Sequence, residues 1–71
     1  KVPATVTIVA FDQLEATALA LHPGSTLLDT DLDEAYGKYV YEVELEDAQG
    51  IEWDVELDAL TGRVLKNHQD T

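Results

Sequence analysis

Cysteine is absent from the 71 residues, so no disulfide braces the chain and no thiolate is available as a nucleophile or soft metal ligand. Serine occurs once, at Ser25, directly after Pro23-Gly24 and outside any Gly-x-Ser-x-Gly frame. The two histidines, His22 and His68, lie far apart, and no spacing brings a nucleophile to either. The four glycines are isolated, and none stands in a glycine-rich loop before a helix, which removes phosphate cradles. Basic residues number only four against fifteen acids, for a net charge of −11. That balance lacks the cationic footprint that nucleic acids and anionic membrane surfaces require. No apolar run is long enough to span a bilayer. No secretory signal is present, though a mature chain would have lost one.

What the sequence has in abundance is alternation. From Lys38 to Leu57 apolar and charged residues alternate on both sides of Asp47-Ala48-Gln49-Gly50. Tyr39, Tyr41, Val43 and Leu45 share one parity, and Ile51, Trp53, Val55 and Leu57 share that of the second run. Period two over this length means half-buried antiparallel strands. Residues opposite each other point to the same face, so apolar must oppose apolar. Pairing Asp47 with Ile51 satisfies this and leaves Ala48-Gln49-Gly50 as a loop that ends on a left-handed glycine. Leu45 then faces Trp53, Val43 faces Val55, and Tyr41 faces Leu57. The other face opposes Glu46 to Glu52, Glu44 to Asp54 and Glu42 to Glu56. Like charges directly opposite are destabilising, so this face is the least ordinary feature of the sequence.

The rest of the chain supplies one helix and two further strands. Lys1 to Val9 is a short strand or an extended lead-in. Phe11, Leu14, Ala18 and Leu21 form a helical stripe, which predicts a helix at about residues 10 to 22, ended by Pro23-Gly24. Ser25 to Leu32 reads as a strand with Leu28, Thr30 and Leu32 on one side and Asp29 and Asp31 on the other. Asp33 to Gly37 reads as a turn. Asp58 to Gly62 is a second tight turn, Arg63 to Lys66 a closing strand, and residues 67–71 a frayed polar tail. The expected core sets Phe11, Leu14, Ala18 and Leu21 on Tyr41, Val43, Trp53, Val55 and Leu57. Residues 1–71 are expected to form one domain, small enough to bury only roughly 60% of its unfolded surface.

Three of these segments resemble a PepSY domain, the module shared by metallopeptidase propeptides and a spore-germination protein. They are the alanine-rich helix ending in His22-Pro23-Gly24, the strand Tyr41-Glu42-Val43-Glu44, and Asp58-Ala59-Leu60-Thr61-Gly62-Arg63-Val64-Leu65, which follows the family's Asp-Ala-x-Thr-Gly-x-Val pattern. The likeness runs from about Val9 to Lys66. One departure is Glu15, where the family often carries an aliphatic residue. The resemblance implies a cystatin-like α+β fold, a single helix packed on an antiparallel β-sheet. It also implies an exported protein, periplasmic, secreted or membrane-tethered. Family members are proposed to inhibit peptidases or to regulate them as propeptide segments.

Against that background the chemistry-bearing residues point to binding rather than catalysis. Asp29-x-Asp31-x-Asp33 opens like a calcium loop, but Glu34 and Val40 stand where the loop needs glycine and glutamate. Two distant histidines without cysteine make no zinc site. His22, near the helix end, is expected to serve as a dipole partner. No cofactor, metal or catalytic residue is expected. The candidate interaction face is Glu42, Glu44, Glu46, Glu52, Asp54 and Glu56. The leading expectation is a non-catalytic protein-binding module, a propeptide-like inhibitor or regulator of an extracytoplasmic peptidase or another envelope protein with a basic surface. The alternative is an acidic cation-binding or salt-adapted structural module of the cell envelope.

Overall fold

A computed structural model describes residues 7–70. One helix, α1 (Phe11–Leu21), precedes four strands, β1 (Thr26–Ala35), β2 (Lys38–Glu46), β3 (Glu52–Asp58) and β4 (Val64–Gln69). The strands form one antiparallel sheet in the order β1-β2-β3-β4, with the helix packed on it, the α+β architecture expected. The part of the lead-in at Lys1–Val6 lies outside the described residues. Thr7–Ala10 is not a strand, although Ile8 and Val9 pack against the core and the Val9 N–H donates to the Ala59 carbonyl at 2.7 Å.

The register between β2 and β3 is the one that parity dictates. Leu45 faces Trp53, Val43 faces Val55 and Tyr41 faces Leu57. Gly50 closes the connecting loop at φ 82, where a side chain would be strained. The Asp47 N–H donates to the Ile51 carbonyl at 2.8 Å, fixing the loop length.

The core lies between the helix and the central strands. Leu14, Ala18, Tyr41, Val43, Leu45, Val55, Leu57 and Ala59 are buried. Three expected members are displaced from it. Phe11 and Leu21 are 42% and 40% exposed because they stand at the two ends of an eleven-residue helix and overhang the centre. Phe11 nevertheless stacks on Tyr41, with ring centroids 4.7 Å apart. Trp53 is half-buried at the core margin. Ala59, unexpected from the strand pattern, is fully buried: its N–H donates to the Tyr39 carbonyl at 2.8 Å and its carbonyl accepts from Val9.

The edge strands depart more from expectation. β1 continues through Asp33 and Glu34 to Ala35, so the expected five-residue turn shrinks to Tyr36-Gly37. Both turn residues have positive φ, 54 and 76, as a type I′ hairpin requires. An irregularity between Leu27 and Asp29 inserts Leu28 as an extra residue. It shifts the parity, so Leu27, Thr30 and Leu32, not Leu28, oppose the core positions Leu45, Val43 and Tyr41. β4 runs to Gln69, and Asp70 N–H donates to the Glu52 carbonyl at 2.9 Å, so the tail expected to fray is paired as far as Asp70.

Candidate functional site

The six acids of the candidate face occupy three cross-strand pairs. Glu42 opposes Glu56, Glu44 opposes Asp54, and Glu46 opposes Glu52. Their parity is opposite to that of the buried Tyr41, Val43, Val55 and Leu57, so they project from the side of the sheet away from α1. β1 extends the row, because Asp29 pairs with Glu44 and Asp31 with Glu42. Glu44 therefore has an aspartate opposite it on both neighbouring strands. On the far side Lys66 pairs with Glu56 and His68 with Asp54. Lys66 Nζ lies 3.8 Å from Glu56 Oε2, the one ion pair within 4 Å among the described residues.

A shallow, open groove of about 300 Å³ on this face is lined by Asp29, Asp31, Glu42, Glu44, Asp54, Glu56 and Lys66 with Thr30, Val43 and Val55, and leaves out Glu46 and Glu52. Desolvation by the surrounding side chains, with repulsion from Glu56 and Asp31 added, holds the Glu42 carboxyl above its ordinary 4.5. Desolvation also raises Glu44, reinforced by Glu52, Asp54, Asp70 and Asp29. Both shifts favour the neutral acid.

One corner of the face has a denser cluster. Carboxylate oxygens of Glu44, Glu52 and Asp70 all lie within 4.8 Å of one another. Asp70 comes there because β4 continues past Lys66, which its polar sequence conceals. Each carboxylate offers one hard oxygen to a cation such as calcium.

The remaining candidates have structural roles. Ser25 Oγ is buried and makes no hydrogen bond among the described residues. His22 terminates the helix, its backbone N–H donating to Leu19 O at 3.1 Å. Its Nε2 lies 2.7 Å from Asn67 Oδ1, and its ring packs on Trp53 at 4.3 Å. His22 therefore ties β4 and Trp53 to the helix end. Glu15, the departure on the helix, accepts the Tyr41 hydroxyl at 2.6 Å. In the Asp58–Leu65 segment, Asp58 Oδ1 accepts from Leu60 N–H at 2.8 Å and Asp58 O accepts from Gly62 N–H at 2.7 Å, which gives that turn its shape.

Comparison with known proteins places these features in context. The family model described as "Peptidase propeptide and YPEB domain" matches residues 8–68, which include the helix, the Tyr-Glu-Val strand and the Asp58 turn. The chain is 40% identical over 63 residues to "Uncharacterized protein YkoJ" of Bacillus subtilis (strain 168). That alignment takes in 87% of this chain but 37% of the relative, so the chain spans little more than a third of the relative's length. No solved structure matches.

Proposed function

The chain belongs to the PepSY family, and from that premise we propose that it is a non-catalytic protein-binding module, acting as a propeptide-like inhibitor or regulator of an extracytoplasmic peptidase. We infer that residues 1–71 act as one unit and that the unit works outside the cytoplasm, where PepSY domains occur. The observation that carries the docking reading is the clustering of acids on one face of the sheet. Three acid-on-acid pairs, flanked by Asp29 and Asp31 and relieved by the single Lys66–Glu56 contact, weaken the free domain. A basic partner surface would remove that repulsion on binding and would be steered to the face over long range.

The test is inhibition of purified extracytoplasmic peptidases of the source organism, parent against Glu44→Lys. Supported, the parent slows at least one enzyme, and the lysine variant inhibits it less while melting higher. Failure of the parent to bind or inhibit any of them removes the reading. A second reading, cation binding at Glu44, Glu52 and Asp70, is favoured by the convergence of their oxygens. Calcium would then raise the melting temperature at constant ionic strength, and Asp70→Asn would abolish the rise.

A further inference from the structure

We propose that β1 is a docking edge for an extended basic segment of the partner protein, which joins the sheet as an added strand. This inference rests on the basic-partner reading above and specifies how the partner engages.

Among the described residues the sheet ends at β1 on one side and β4 on the other. Exposed edges carry unpaired backbone groups that invite another strand, and proteins blunt them with charged side chains, lysine above all, with proline, bulges or shortness. β4 is six residues long and bears Lys66. β1 is ten residues long, and its sequence Thr-Leu-Leu-Asp-Thr-Asp-Leu-Asp-Glu-Ala has neither lysine nor proline. Its irregularity is confined to the start, which leaves Asp29–Ala35 in regular register.

Both faces of this edge are incomplete in complementary ways. On the helix side Leu27 and Leu32 remain 36% and 38% exposed, while their partners on β2, Leu45 and Tyr41, are 0% and 3% exposed. Phe11, stacked on Tyr41, the partner of Leu32, is also exposed. On the opposite side Asp29 and Asp31 stand against Glu44 and Glu42 with no ion-pair partner among the described residues. An added strand in register with Asp29–Ala35 that carries apolar residues at alternate positions covers Leu32, and lysine or arginine at the intervening positions faces the aspartates. A second copy of β1 does not fit. Setting leucine against leucine forces aspartate against aspartate, and a net charge of −11 on each chain opposes the encounter.

The experiment titrates the isotopically labelled chain with a short end-capped peptide alternating lysine and valine, at moderate salt. The expected result is amide shifts and slowed amide exchange concentrated along β1. Methylating the peptide nitrogens at alternate residues preserves every side chain but blocks one edge of the strand. One of the two methylation phases should weaken binding about ten-fold or more. Asp31→Lys should weaken the parent peptide by a similar factor, about ten-fold, with the sheet signals unchanged. Equal binding of both methylated peptides, shifts confined to the outer faces of β3 and β4, or no binding would each overturn strand addition. Peptidase inhibition lost in Glu44→Lys would in those cases still support the acidic face, so the two failures are separable.

Discussion

Trp53 Nε1 donates to Asp47 Oδ2 at 2.9 Å, while Asp47 Oδ1 accepts the backbone N–H groups of Gln49 and Ile51, each at 2.9 Å. One carboxylate therefore holds both the β2–β3 turn and the indole at the core margin. The bond from Trp53, followed by that from Ile51, lowers the Asp47 pKa below its ordinary 3.8.

Asp47→Ala should lower the melting temperature by several degrees, since it releases two backbone donors and the indole N–H at once. Trp53→Phe should lower it less, because the turn keeps its two backbone bonds. Thermal melts of the two variants give the order. A Trp53→Phe loss as large as that of Asp47→Ala would mean that the turn bonds contribute little.

The pair Tyr41–Glu15 bridges β2 to the helix. Desolvation by burial, then the Glu15 hydrogen bond, raises the Tyr41 pKa above its ordinary 10.0. Stability from this tyrosine is fully present below that value and lost as pH rises through the raised pKa. Tyr41→Phe should cost about 1–2 kcal/mol near neutrality, as for a partly buried bond to a charged acceptor. The double variant with Glu15→Leu should cost less than the sum of the singles.

The acidic face predicts two linked responses. Glu42 and Glu44 have raised pKa values in the folded state, so their contribution is greatest below the ordinary 4.5 and is lost as pH rises through the raised values. Asp47 has the opposite sign: its contribution is present above 3.8 and lost as pH falls through its lowered value. Melting temperature should therefore rise on mild acidification from pH 7 and fall again in strong acid. It should also rise with sodium chloride, because salt screens exposed like charges over about 10 Å at about 0.1 M. Glu44→Lys, with aspartates on both sides, should stabilise the domain at low salt and flatten its salt response. A parent insensitive to both variables would show that the acids do not repel one another.

Tyr36 is fully exposed and has φ 54, a backbone region that an aromatic side chain rarely adopts. Asparagine before glycine suits this type I′ turn. Tyr36→Asn should stabilise the domain by about 1 kcal/mol, for strain of this kind costs on the order of 1–3 kcal/mol. At this chain length that is a rise of about 4–8 °C. A lower melting temperature would show that the tyrosine ring makes stabilising contacts at the hairpin tip.

The central hairpin was legible because parity and loop length together allow one register, and the six acids followed from it. Leu28 misled the reading of β1 because an inserted residue is invisible to a period-two pattern. Asn67 to Gln69 look like a tail because an edge strand owes its pairing to backbone groups, which polar side chains neither reveal nor prevent. Phe11 and Leu21 satisfy the helical stripe, yet helix length and placement decide which part of a stripe meets the sheet. Asp70 joined the acidic cluster through the same unforeseen extension of β4.

Because each strand pairs with its neighbour in the chain, the sheet forms through short-range closures, which are entropically the least costly. The helix comes first in sequence but packs across β1, β2 and β3, and its terminal His22 reaches Asn67, 45 residues away. Emerging from a ribosome, α1 would have to wait until β3 has followed before its apolar face is covered. We expect the Asp47 turn to be native-like in the folding transition state and helix docking to come late. Asp47→Ala should then slow refolding, whereas Leu14→Ala should mainly accelerate unfolding.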